Sequence, residues 1–275
     1  MTPFEAMLLG LVQGLTEFLP VSSSGHLVLA RTFLGVSGDG ITFEVMVHFG
    51  TFLAILTVFF GQIQKMIVGV SGGIGVLFAR KGIARRFRED EHLRLAVWIG
   101  IGSIPAGCLG LLFEEAVEQA FASPILVSGA LVVTGGMLFS TRYVKESSGK
   151  VGFGEAVLIG IAQALAIIPG ISRSGATIVT GFWRKVDRAQ AAEFSFLLAL
   201  PVIFGATVLK LKDVFLAPPS SAEGWALVVG TATAYGSGYL AIRMLLGIVR
   251  KGRLDRFAYY CWAVGFFGLI LQVVK

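Results

Sequence analysis

Charge is what this 275-residue chain has least of. Only 15% of its residues are Asp, Glu, Lys or Arg, 55% are hydrophobic, and the mean hydropathy is +0.80. Soluble domains carry about a quarter charged residues, so the shortage excludes a water-soluble globule and leaves an integral membrane protein. No basic residue precedes Arg31, so the amino terminus lacks a charged n-region and is not expected to be a cleaved signal peptide. Cysteine is almost absent. Cys108 and Cys261 sit in apolar stretches without metal-ligand spacing and read as small core residues. The net charge of +6 would suit a polyanion, but the basic residues cluster between apolar spans, the pattern that membrane orientation produces. Nucleic acid is therefore not an expected partner.

Against this apolar background one polar run stands out, from Gly10 to His26, where Gln13, Glu17, Ser22, Ser23, Ser24 and His26 interrupt hydrophobic sequence. Ionisable groups are costly in hydrocarbon, so such a run is a functional-site hypothesis by default. A helix over 4–19 places Gln13 and Glu17 at i, i+4 on one face. Pro20 stops that helix, Ser22 to Gly25 forms a donor-rich turn, and a second helix is expected from His26 to about Gly35. Hydroxyls, a glycine and free N–H groups at a helix start make a natural anion site.

A shift of 150 positions, without gaps, lays this run on a second one. Glu5-Ala6 falls on Glu155-Ala156, Gly10 on Gly160, Gln13 on Gln163, Ser22 on Ser172, Ser24 on Ser174 and Gly25 on Gly175. Arg173 stands where the first copy has Ser23, and Ile167 where it has Glu17. One copy thus supplies an acid and an imidazole, the other a guanidinium able to fork onto phosphate.

A bilayer core takes about 20 apolar helical residues. Six segments qualify, at 41–61, 94–113, 124–141, 189–211, 224–243 and 256–274. The two motif regions, 4–34 and 153–183, each suit a pair of half-length helices, broken at Pro20 and at Pro169-Gly170. Backbone breaks at membrane depth are tolerated where they line a cavity, so both regions are expected to be re-entrant hairpins. Residues 66–79 are short and glycine-rich, and are expected at the interface or as an extension of a neighbouring helix. The fold expected is an all-α integral membrane protein of six transmembrane helices plus two re-entrant hairpins, in a single membrane domain. Halves 1–152 and 153–275 each contain a hairpin and three spans; because three is odd, the second half is inverted relative to the first.

Loops 62–93, 142–152, 184–188 and 244–256 hold most of the Lys and Arg, and alternate crossing puts all four on one face. The other face carries Arg31, Lys210, Lys212 and Lys275 with Asp39, Glu114, Glu115, Glu118, Asp213 and Glu223. The positive-inside rule makes the basic face cytoplasmic and opens the first hairpin outward, to the periplasm of a plasma (inner) membrane.

Gln13-x-x-x-Glu17, Pro20-Val-Ser-Ser-Ser-Gly-His26 and Pro169-Gly-Ile-Ser-Arg-Ser-Gly-Ala-Thr177 together resemble the signatures of the undecaprenyl-diphosphatase (bacitracin-resistance protein) family. Phe43-Glu44 with His48-Phe-Gly, and Ala191-Ala-Glu-Phe-Ser-Phe196, extend the likeness along the chain. The resemblance implies hydrolysis of undecaprenyl diphosphate to the monophosphate and phosphate, which recycles the wall carrier lipid, with Mg2+ or Ca2+ as cofactor. It also implies Glu17, His26, Ser23 and Arg173 as catalytic residues. Ser22, Ser24, Gly25, Ser172, Ser174, Gly175 and Thr177 are expected around the substrate phosphates. The metal candidate is Glu17, with Gln13 beside it where relatives can have a second acid. A polyprenyl diphosphate lipid and the membrane are the expected partners, and a homodimer is among the expected assemblies.

Phosphoryl transfer asks mainly for positioning and for donors on the charged oxygens, so the set makes chemical sense by itself. Glu17 or His26 could take the proton of a water or of Ser23. With five serines in the two turns, no hydroxyl is singled out, and the reading favoured here is water attack with Ser23 as a donor. Structural roles are the alternative: Glu17 as an interhelical hydrogen-bonding group, His26 as a turn cap, His48 as a helix-bonded ring, His92 as a solvated loop residue, and Glu44 and Glu193 as helix-start caps. A lipid-carrier flippase or transporter is the competing function, because inverted repeats of broken helices serve alternating access. The chemical asymmetry of the two motifs favours a reaction centre.

Overall fold

The computed structural model describes residues 1–34, 41–78, 82–113, 119–121, 123–216 and 221–274. Among them all extended secondary structure is helical: α1 (Pro3–Phe18), α2 (Ser23–Leu34), α3 (Ile41–Val58), α4 (Phe60–Phe78), α5 (Ile83–Glu89), α6 (Glu91–Leu112) and α7 (Pro124–Ser140). After a 3-10 turn at Thr141–Tyr143 come α8 (Phe153–Leu165), α9 (Arg173–Trp183), α10 (Arg188–Leu216), α11 (Ser221–Arg250) and α12 (Arg256–Val274). Of the outer-face charges, Asp39, Glu114, Glu115, Glu118 and Lys275 lie outside the described residues, as do Arg80 and Lys81 of the basic loops.

Among the described residues, four helices are long and apolar enough to span a bilayer, Glu91–Leu112, Pro124–Tyr143, Arg188–Leu209 and Glu223–Arg250, or five if a bent helix pair counts as one span. They coincide with four of the expected spans. The segment of the last expected span, 256–274, is helical as α12, which is not among those four. The segment expected as one span over 41–61 differs, because its helix ends at Val58 and the chain turns by 79° into α4. Two ladder bonds bracket the bend, Phe59 N to Ile55 O and Ile63 N to Phe59 O, each at 2.9 Å. Of the segment 66–79, residues 66–78 belong to α4, which packs on α6 with Gly69 and Gly73 against Leu93, and Ala79 lies outside the described residues.

Both motif regions are helix pairs. In α1, Thr2 Oγ1 accepts the Glu5 N–H at 3.2 Å while the Glu5 carboxylate accepts the Thr2 N–H at 2.7 Å, with Pro3 in the first turn. This reciprocal cap starts the helix, and Pro20 ends it. In the second region the Glu155 carboxylate returns on the Gly152 N–H at 3.2 Å. The break there is Gly170, at φ +96, where a side chain would strike the Val127 carbonyl. Thr134 holds that break closed, donating to the Gly170 carbonyl at 2.9 Å and accepting the Ser172 N–H at 3.1 Å. The helix after the first break starts earlier than expected, at Ser23, so Ser24 and Gly25 lie in the first turn of α2 and not in a loop; after the second break α9 begins at Arg173.

Lipid supplies no hydrophobic drive between helices, so close backbone packing at small residues does the holding. A Cβ on Gly10 of α1 would collide with the Gly230 carbonyl of α11, and one on Gly160 of α8 with the Gly102 carbonyl of α6. Gly10 and Gly160 are partners under the 150-residue shift. Beside these contacts Phe18 meets Phe196 edge-on at 5.7 Å in the main buried cluster. Gly160→Ala is expected to destabilise by about 1–3 kcal/mol through overpacking. Gly154→Ala, on the same helix with open space around it, is expected to be neutral or slightly stabilising. Thermal unfolding in detergent compares the two, and equal midpoints would contradict the packing.

The four basic loops meet at one end of the bundle. Lys150 bonds Glu91 at 3.1 Å, Asp187 N bonds Gly149 O at 2.8 Å, Arg188 bonds Glu146 at 3.2 Å, and the Arg188 guanidinium lies against Gly252.

Candidate active site

The two helix breaks touch. Gly25 faces Gly170 and Gly175 faces Pro20, such that a Cβ on either glycine would lie 3.6 or 3.4 Å from the opposite break. Ser174 Oγ donates to the Leu19 carbonyl across the junction at 3.3 Å. Helices α2 and α9 both begin here, so two positive helix ends converge on the same place.

Glu17 is the centre. Its side chain is 6% exposed, and its Oε1 accepts Arg173 Nη2 at 2.7 Å. Its Oε2 accepts Ser23 Oγ at 2.6 Å and Gln13 Nε2 at 2.9 Å. Residues 156 positions apart thus form a buried ion pair, which only good geometry and further hydrogen bonds make affordable. Two polar atoms of the cluster remain buried without a partner: Arg173 Nη1, a donor, and Gln13 Oε1, an acceptor. Unmet groups of this kind in a native structure ask for a ligand, ion or water.

The serines are not equivalent, contrary to what their spacing suggested. Ser22 and Ser24 hydroxyls bond each other at 3.2 Å, and Ser172 and Ser174 at 3.3 Å. The Ser22 and Ser172 hydroxyls also accept the Gly25 and Gly175 N–H groups, at 3.4 and 3.1 Å. Ser23 alone among them bonds a carboxylate. Thr177 is turned away from Glu17: its hydroxyl bonds the Arg173 carbonyl at 2.8 Å and the Ser195 hydroxyl at 2.5 Å.

His26 makes its ring bonds outside the Glu17 cluster, with Ser22 O and Tyr260 Oη, each at 2.8 Å. The imidazole facing Glu17 is His48, whose Nε2 is 3.7 Å from Oε2. Its Nδ1–H donates to the Glu44 carbonyl at 2.7 Å, so the helix-bonded reading and the site reading both hold for it. Glu44 is bonded by Arg31 at 2.6 Å. His92 is not simply solvated, since its Nδ1 is buried and the residue lines a recess with Lys65 and Asp90. His48 had a local signal, an imidazole within an apolar span. Tyr260 had none, because one exposed-looking tyrosine in α12 says nothing about a histidine 234 positions away.

Gln163, the counterpart of Gln13, is 2% exposed with neither side-chain polar atom partnered. Ile167 stands where a carboxylate would have met it.

A buried carboxylate–guanidinium–hydroxyl centre where two broken helix pairs meet, in a chain with several apolar helices long enough to span a bilayer, belongs to a multi-pass membrane protein. Comparison with known sequences narrows the class. Residues 6–267 match the family described as bacitracin resistance protein BacA, and the chain belongs to that family. It is 46% identical to an undecaprenyl-diphosphatase of Salinibacter ruber, over 98% of this chain and 100% of that one. It is 43% identical to one of Desulforapulum autotrophicum (98% and 99%) and 42% identical to one of Halothermothrix orenii (98% and 97%).

Proposed function

We propose that this protein hydrolyses undecaprenyl diphosphate to undecaprenyl phosphate and inorganic phosphate, returning the wall carrier lipid to use and so conferring bacitracin resistance. The observation that carries the reading is the Ser23–Glu17–Arg173 constellation, with Arg173 Nη1 still lacking an acceptor. In the mechanism it supports, Glu17 Oε2 takes the proton of Ser23 Oγ, which attacks the terminal phosphorus as the bond to the bridging oxygen breaks. Undecaprenyl phosphate leaves with that oxygen. Water then attacks the phosphoserine, phosphate departs, and Ser23 regains its proton. Arg173 and the N-terminal ends of α2 and α9 stabilise the charge on the non-bridging oxygens. Release of phosphate from C55 diphosphate by the purified protein in detergent tests the reading, and a protein that binds this lipid without releasing phosphate would overturn it.

A divalent cation fits the donors present. Glu17 and the unpartnered Gln13 Oε1 are hard oxygen ligands, suited to Mg2+ or Ca2+ that also shares substrate oxygens. Among the described residues there is no cluster of three or more His, Cys, Asp or Glu, so most of its coordination would come from substrate and water. Such an ion would supply charge neutralisation on the diphosphate.

The topology that accompanies this function is an inverted repeat with two re-entrant hairpins and an outward-facing site. The paired glycine contacts, Gly10–Gly230 with Gly160–Gly102 and Gly25–Gly170 with Gly175–Pro20, support a pseudo-two-fold relation. The meeting of the basic loops at one end supports a cytoplasmic assignment for that end. In a background with Cys108→Ala and Cys261→Ala, an impermeant thiol reagent outside intact cells is expected to label Glu223→Cys and to spare Arg86→Cys. The opposite labelling would invert the protein.

A further inference from the structure

We infer that His26 and Tyr260 form a clamp that holds Ser22 in the left-handed conformation and thereby aims the Ser23 hydroxyl at Glu17, so that His26 is a positioning residue and not the proton carrier. The inference rests on the proposed role of Ser23. Ser22 has φ +69, a conformation that L side chains with a Cβ rarely adopt. Residues held there persist only when their surroundings over-determine them, and they cluster at functional sites.

The surroundings here are specific. A carbonyl oxygen only accepts, so the 2.8 Å contact to Ser22 O fixes the proton on His26 Nδ1. In the neutral ring Nε2 is then the acceptor, and the Tyr260 hydroxyl donates to it at 2.8 Å, with the two rings stacked at 5.5 Å and 9°. The same Ser22 carbonyl also accepts the His26 backbone N–H at 3.2 Å. Next to Tyr260, the Cys261 thiol lies 3.7 Å from the Pro20 carbonyl. Helix α12 therefore grips the break at Pro20 and, through His26, at Ser22. With both ring nitrogens engaged this way, His26 has no free nitrogen to offer the substrate.

The second copy of the motif serves as an internal control. The position of His26 is Ala176 there. Ser172, the counterpart of Ser22, lies in the ordinary extended region at φ −75 and ψ 118. The copy without an imidazole has a relaxed serine, and the residue that follows it is Arg173. The copy with the imidazole has the left-handed serine, and the residue that follows it is Ser23. Both of those following residues reach Glu17, from opposite breaks.

The test is a double-mutant cycle on phosphate release from C55 diphosphate by purified, monodisperse protein. Tyr260→Phe removes only the hydroxyl and is expected to lower kcat about tenfold with KM unchanged, the cost of one neutral hydrogen bond. His26→Asn keeps a donor near the Nδ1 position and is expected to retain activity within about a hundredfold, with the shape of the wild-type pH profile. Because Tyr260 acts only through His26, adding Tyr260→Phe to His26→Asn should change kcat by less than about twofold. Nitrogen-15 NMR of labelled histidine gives a second readout: the His26 signals should be those of the Nδ1–H tautomer, and Tyr260→Phe should shift the Nε2 resonance.

Additive losses in the cycle, or a His26→Asn enzyme with one limb of its pH profile missing, would overturn the clamp and make His26 a proton carrier. A wild-type protein that releases no phosphate would instead overturn the proposed function. The NMR tautomer and its response to Tyr260→Phe stand or fall independently of that result.

Discussion

Arg173→Ala should reduce phosphate release by at least about a thousandfold, the scale on which an arginine stabilises a phosphoryl-transfer transition state. The variant loses the Nη1 donor that has no protein acceptor and the Nη2 bond to Glu17. It should also unfold more easily, because Glu17 is left as a buried charge without its partner, at a cost of about 3–5 kcal/mol. Stability and catalysis must therefore be separated. Glu17→Gln combined with Arg173→Met removes both charges, and is expected to melt above the Arg173→Ala variant while remaining inactive. Arg173→Lys keeps the charge without the planar fork and should retain a fraction of the activity. Wild-type turnover in monodisperse Arg173→Ala would remove the residue from the site. A double variant no more stable than Arg173→Ala would contradict the buried pair.

Ser23→Ala is expected to lose four or more orders of magnitude, on the scale seen when a nucleophile acting as one unit with its base is removed. Loss of a mere transition-state donor costs about a hundred- to a thousandfold. The larger effect is expected because Ser23 Oγ lies 2.6 Å from a carboxylate that is itself held by Gln13 and Arg173, whereas the other turn hydroxyls bond one another or the backbone. Ser22→Ala and Ser24→Ala should accordingly fall by much less. Acid quenching with substrate labelled on its terminal phosphate should leave label on Ser23 in the wild type and none in Ser23→Ala. A wild type without bound label, together with a loss near a hundredfold in Ser23→Ala, would return the reaction to direct attack by water.

Membrane residence, the helical class and four of the spans were legible because each depends on local composition. A run of about 20 apolar residues with few charges has few other places to go. The breaks were legible for a similar reason, since Pro20 and Gly170 act on the backbone beside them. The bend after Val58 was not, as no proline marks it and the residues on both sides read as helix. The start of α2 at Ser23 was misplaced by three residues. The hydroxyls of Ser22 and Ser172 cap a first turn, and a cap is settled by a conformation that the residue names leave open.

Sequence alone determined which chemical groups this protein buries in the membrane: one acid and one imidazole in the first motif, one guanidinium in the second, and serines in both, laid out on a repeat of 150 residues. It did so because polar side chains in an apolar chain are conspicuous and a repeat needs no structure to be seen. Tertiary structure decided which of those groups meet. It set Arg173 on Glu17, chose Ser23 among several hydroxyls, brought in His48, and gave His26 to Tyr260. Each of those pairings except Ser23 with Glu17 joins residues more than 30 positions apart. The long-range hydrogen bonds, Arg173 to Glu17 at 2.7 Å and His26 to Tyr260 at 2.8 Å, are settled by the approach of whole helices, which no local run of residues encodes.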